Sequence, residues 1–132
     1  MLLSHGTVVA LVDGRNFELF RNSGNEVEPE LTALDSPLLD AHNHSDVGHH
    51  SSPGNHADGQ VNEDAHANAV VHWLNSQVLE HKIDSLIVIA PPRTLGEMRR
   101  HYHKQTEQAL VKELHKDLIG MKAPEILTAL SE

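Results

Sequence analysis

The run Leu86-Ile87-Val88-Ile89-Ala90, wholly apolar and bounded by Asp84 and Pro91, constrains this chain more than any other stretch. Alternating apolar and polar residues mark a strand with one wet face, whereas an unbroken apolar run of this length marks a strand covered on both faces. Such a strand needs one layer of structure above it and another below. Pro91 closes the run, because it has no amide N–H to contribute to a ladder.

Partners for that strand lie upstream. Thr7 to Asp13 (TVVALVD) is apolar and β-branched and ends at the Asp13-Gly14 turn signal, and Asn16 to Arg21 (NFELFR) sets Phe17 and Leu19 against Glu18 and Phe20. Together they predict a β-hairpin. After the turn cluster Asn22-Ser23-Gly24-Asn25, Val27 to Leu34 returns as a third strand, confined by Pro29 to an edge or an end. Asn62 is placed to cap a helix over roughly Asn62 to His81, with Glu63 and Asp64 favourable in its first turn and Ala69, Val70, Trp73, Leu74 and Val78 as its buried stripe.

Beyond the apolar strand, Thr94 and Glu97 have the spacing of a capping box, and Leu95 and Met98 face the core side of the helix it would open. From Gln105 to Gly120 two readings stay open. Leu110, Leu114 and Leu118 fit a helix, toward which periodicity leans, while Ala109-Leu110-Val111 can open a strand. Pro124 suits a first helical position, with Ile126, Leu127 and Leu130 as the apolar face of a closing helix. The order of elements predicts an α/β (α+β) fold, a single domain over residues 1–132 with helices packed on a mixed sheet.

Asp35 to Gln60 interrupts this pattern with His, Asp, Ser, Gly and Pro and no periodicity, which predicts a mobile loop. Compact domains seldom keep so long a loop without using it. His42, His44, His49, His50 and His56 lie there near Asp40, Asp46 and Asp58, within chain reach of one another as ligands for a divalent metal such as zinc, nickel or copper. Metal sites depend on ligands fixed by outer partners, and irregular spacing in a loop gives no sign of them. No resident cofactor is therefore expected, with a His-loop metal-binding protein as an alternative. His66 and His72, six apart on a helix, do not converge, which argues against a zinc hydrolase.

The chain has 132 residues, no cysteine, twelve histidines and a formal net charge of −9. Disulfide and thiolate chemistry are excluded. So acidic a surface cannot grip DNA along its whole length, because phosphate neutralisation needs clustered Lys and Arg. Any RNA contact must be local, and Arg93, Arg99, Arg100, His101, His103 and Lys104 form a basic island just after the apolar strand, where α/β sheets favour anionic ligands. A solvated helix face is the other reading of that island. No segment is apolar enough to suggest a membrane partner, and Met1 to Gly6 do not resemble an export signal, so a cytoplasmic location is expected.

The opening TVVALVDGRNFELFRN, the His-rich stretch leading to Asp58-Gly59-Gln60, the helix through His72-Trp73-Leu74, and LIVIAPPRTLGEMRRHYHK followed by ALVKELHKDLIG and PEIL cover nearly the whole chain. In these the sequence resembles the bacterial host attachment protein family, itself similar to the middle domain of archaeo-eukaryotic class-1 peptide-chain release factors. The resemblance implies a sheet of about five strands, with a strand at about Ala109 to Lys116 in place of the helix. It also implies that Gly59 and Gln60 match the last two residues of the Gly-Gly-Gln motif, whose Gln backbone amide helps to stabilise the oxyanion during peptidyl-tRNA ester hydrolysis. Asp58 stands where the motif has its first glycine, bringing restricted backbone freedom and negative charge, which counts against hydrolysis.

The resulting expectation is a ribosome- or tRNA-associated accessory domain, active in ribosome rescue or at most as a peptidyl-tRNA ester hydrolase. Gly59 and Gln60 would be presented to the partner, with Arg93, Arg99, Arg100 and Lys104 meeting RNA phosphate. A non-catalytic interaction protein required for attachment to host cells is the alternative that the family label implies.

Overall fold

The computed structural model describes residues 3–37, 39 and 57–131, residues 57–61 by their backbone alone. The apolar run forms strand β4 (Leu86–Ala90), and every one of its residues is buried. Leu86, Val88 and Ala90 enter one hydrophobic core, Ile87 and Ile89 the other. Strand β1 (Val8–Val12) divides in the same way, with Val8, Ala10 and Val12 on the first face and Val9 and Leu11 on the second. β1 and β4 lie side by side and parallel, so each shields the other's ladder while helices cover both faces.

β2 (Phe17–Asn22) pairs antiparallel with β1, and β3 (Leu31–Leu34) pairs antiparallel with β2. β5 (Leu110–His115) runs parallel to β4, completing a five-stranded sheet in the order β3-β2-β1-β4-β5. Helix α1 (Ala57–Leu79) lies on the first face together with α2 (Pro92–Arg99) and the short α3 (Lys104–Ala109). The second face is covered by α4 (Ala123–Ser131), through Ile126 and Leu130, with Leu3 beside them. The mixed α/β single domain with an antiparallel amino-terminal region is thus the fold observed.

Several local expectations are corrected. The described helix α1 already includes Ala57, so Asp58, Gly59 and Gln60 are helical and Asn62 lies inside the helix instead of capping it. Turn signals such as Asp-Gly reflect preferences of under about 1 kcal/mol per residue, whereas propagating an existing helix adds one hydrogen bond per residue. At its other end α1 stops at Leu79, closed by bonds from His81 N to Val78 O (3.0 Å) and from Lys82 N to Gln77 O (2.9 Å). His81, at φ 63°, holds the left-handed position that usually takes glycine, which explains why this stop lacked its usual signal.

Thr94 is not a cap. α2 starts at Pro92, whose ring fixes a helical φ, and Glu97 turns to Arg100 and His101 near the other end of the helix. The region 105–120 is not one helix: α3 ends at Ala109 and β5 follows, matching the strand implied by the resemblance. A register shift sets Leu110 opposite Leu86 and Lys112 opposite Ile87, so Leu110 packs on the first core and Leu114 on the second. Val111, the extra residue, is 54% exposed. β3 is confined to the edge, as Pro29 required, but is shorter than Val27 to Leu34 because Asn25 Oδ1 holds the amides of Val27 and Glu28 in a turn.

Candidate functional site

The β1–β2 turn stands at the carboxyl end of β1. Asp13 Oδ1 accepts from the amides of Arg15 (2.8 Å) and Asn16 (2.5 Å), and Asp13 Oδ2 accepts from Asn16 Nδ2 (3.1 Å). Partial burial pushes the Asp13 carboxyl up, but the donors from Arg15 and Asn16, with His66 nearby, outweigh it and hold the group below its ordinary value of 3.8. The ionised form therefore stabilises the fold above that pH, and the contribution is lost as pH falls through the lowered value. Asp13→Asn should flatten the acid limb of a Tm profile recorded from about pH 5 to about pH 2. Parallel profiles for the two proteins would contradict this.

Helix α1 lands on the same turn. A Cβ placed on Gly14 would stand 2.8 Å from Glu63 Cδ, and His66 Nε2 lies 3.2 Å from the carbonyl oxygen of Asn16. A carbonyl only accepts, so the His66 proton on Nε2 makes this bond. Positions 59, 63 and 66 fall on one helical stripe. Gly59 is therefore one turn, about 5–6 Å, farther along the helix than Glu63. Asp58-Gly59-Gln60 thus lies in the first described turn of α1, beyond the carboxyl end of β1, the end at which open α/β sheets place their ligands. α2 also starts from this end, at the foot of β4, and it carries Arg93 exposed.

The basic island does not present one continuous cationic face. Arg99 donates to Glu113 Oε1 from Nε (3.0 Å) and from its terminal nitrogen (2.8 Å), with His115 Nε2 3.4 Å away. Its hydrogen bond with Glu113 raises the Arg99 pKa further. Arg100 lies 3.5 Å from Glu97 Oε1, and His101 Nε2 lies 2.9 Å from Glu97 Oε2. His103 caps α3, its Nδ1 accepting from Gln105 N at 3.0 Å. Arg93 and Lys104 are exposed, with no ion-pair partner among the described residues.

Asn75 fixes the corner between α2 and α3. Its Oδ1 accepts from His103 N (3.0 Å) and Thr106 Oγ1 (2.6 Å), and its Nδ2 donates to His101 O (3.1 Å). Tyr102 is largely buried there, and burial first, then the Glu113 carboxylate, push its hydroxyl pKa well up, so it stays protonated. Asp13, Glu63, His66 and Asn75 were not among the residues that sequence reasoning selected. Asp13, Glu63 and His66 entered that reasoning only as turn or helix residues, and Asn75 gave a signal as a polar residue directly after the apolar Trp73-Leu74 pair.

His42, His44, His49, His50 and His56 lie outside the described residues. Among the described residues no group of three or more His, Asp or Glu side chains is placed to hold a metal ion. Among them, too, no helix is long and apolar enough to cross a membrane. No curated protein matches the sequence. The match of a family model to residues 6–130, from just ahead of β1 to the end of α4, shows that the chain belongs to bacterial archaeo-eukaryotic release factor family 12.

Proposed function

We propose that this protein is a cytoplasmic, translation-associated RNA-binding domain that docks on the ribosome or on tRNA through the amino-terminal end of α1, with Arg93 alongside. The observation that carries this reading is the placement of Asp58-Gly59-Gln60 in the first described turn of a long helix, at the ligand-favouring end of the sheet of a release-factor-like domain. The first amides of a helix have no intrahelical partner, and they form the positive end of its dipole. Among the described residues, no helical acceptor stands one turn ahead of the amides of Asp58 and Gly59. They suit a phosphate oxygen.

The same geometry favours binding over ester hydrolysis. Gln60 is part of helix α1 and not of a free loop, which makes its amide less available to an oxyanion. Asp58 brings a negative charge into the same stretch of sequence. Arg93 is the cation free to meet RNA at this end; Lys104 opens α3 beside Asn75, far along α1 from Asp58, and Arg99 and Arg100 would first have to leave Glu113 and Glu97.

Sedimentation of tagged protein through a sucrose gradient tests the proposal. The protein should co-migrate with ribosomal fractions, and Arg93→Glu should weaken that association about 5-fold, corresponding to roughly 1 kcal/mol. Absence from those fractions in both stressed and unstressed cells would refute it. In a peptidyl-tRNA ester-cleavage assay, wild type and Gln60→Ala should release peptide at the same background rate. A Gln60-dependent rate would make the protein a hydrolase instead of a binding module.

A further inference from the structure

A second concave site lies away from the α1 amino terminus, toward the amino-terminal ends of β1 and β4. It is a half-open cavity of about 430 Å³ between the sheet and the carboxyl-terminal third of α1, within the roughly 300–1,000 Å³ typical of small-molecule sites. Val8, Leu19 and Ile83, all buried, form its apolar floor, and Leu34 closes one side. Trp73 forms a wall, braced edge-to-face by Phe17 at a centroid separation of 5.6 Å.

Two cations flank this apolar space in a chain whose net charge is −9. Arg21 is held in place by a 3.0 Å bond to the carbonyl oxygen of Lys82, which occupies one terminal nitrogen and leaves its other donors available. Lys82 lies 3.3 Å from Glu80, but both side chains are more than half exposed, so an incoming anion can replace this weak surface pair. Among the described residues Asp35 is the one acid in the lining, against two cations.

We propose that this cavity binds a small amphipathic monoanion, whose short alkyl or aromatic body lies against Trp73 and the floor while its carboxylate meets Arg21 and Lys82. Burial of the body supplies affinity without direction, and the paired cations supply orientation and charge selectivity. The site is separate from the proposed RNA-facing end, and its occupancy does not depend on that assignment.

Trp73 is the only tryptophan in the chain, so its fluorescence reports on this pocket alone. Titration of the intact protein with octanoate should produce a saturable change in Trp73 emission, and octylammonium should bind at least tenfold more weakly. Lys82→Gln should raise the octanoate Kd severalfold, and Arg21→Gln with Lys82→Gln at least tenfold. Lys82→Gln alters a side chain that is 63% exposed, so it keeps the test valid even if replacing Arg21 disturbs the fold. A linear, non-saturating response, equal binding of octanoate and octylammonium, or unchanged affinity in folded Lys82→Gln protein would each overturn the proposal.

Discussion

Replacing Asn22 with alanine should destabilise the domain by about 3–4 kcal/mol, as measured by urea unfolding with an unchanged m value. Asn22 is fully buried at the end of β2. Its Nδ2 donates to the carbonyls of Leu3 (2.8 Å) and Ser4 (3.2 Å), with a longer contact to Asn25 O (3.4 Å). Its Oδ1 accepts from the amides of Gly24 and Glu30, both at 2.9 Å. One side chain therefore ties the amino-terminal segment to the β2–β3 connection.

Alanine would leave these amides and carbonyls without their partner, at about 1–3 kcal/mol for each group that stays buried. Water can reach some of them, because the turn is close to the surface, and this keeps the total below the simple sum. The connection has little room to rearrange, since a Cβ on Gly24 would collide with the Glu28 carbonyl oxygen. Asn22→Asp separates the two halves of the network. It keeps an acceptor for Gly24 and Glu30 but turns a carboxylate toward the Leu3 and Ser4 carbonyls, which raises the carboxyl pKa in the folded state. Its destabilisation should be large at neutral pH and shrink as pH falls through that raised value. A loss of less than about 1 kcal/mol in Asn22→Ala would contradict the argument.

The central layer was legible because burial on both faces leaves a direct trace in sequence. Leu86–Ala90 and Val8–Val12 are apolar at every position, and each position is buried. The stripe on α1 was legible for a similar reason, with Ala69, Val70, Leu74 and Val78 all buried and Trp73 packed against the core. Positions decided by small local differences were not. Asp58-Gly59-Gln60 carries the residues of a turn yet continues a helix, whereas the end of that helix at its far side was read close to where it lies. Leu110 and Leu114 show a spacing shared by helices and strands, and only the bulge at Val111 reveals that they serve opposite faces.

At the candidate site, Gly59 and Gln60 were picked out by their motif and Arg93 by its place just after the apolar strand. The setting was not. His66 meets Asn16 across fifty positions of chain, and Glu63 approaches Gly14 only because the sheet order returns α1 to the first hairpin. Pairing of Arg99 with Glu113 and of Arg100 with Glu97 also divides a cluster that reads as continuous charge. A run of basic residues gives the amount of charge available, and the acids folded against it decide how much remains for a ligand.

The second large effect is expected at Asn75, where alanine should cost about 2–3 kcal/mol. Thr106, fully buried, directs its hydroxyl to Asn75 Oδ1 at 2.6 Å, and His103 N and His101 O complete the amide's bonding. The bonds link α1 to the segment that turns α2 into α3, so the loss should fall on the corner carrying His101, Tyr102 and His103. A double-mutant cycle with Thr106→Val isolates the shared bond. In wild type, Thr106→Val removes a donor from Asn75 and should cost about 1–2 kcal/mol. In Asn75→Ala the hydroxyl has already lost that acceptor, so the same change should cost about 1 kcal/mol less. Strict additivity would mean that Asn75 acts by filling space, and the corner would then be held by the packing of Leu95 and Met98 against α1 instead of by this clamp.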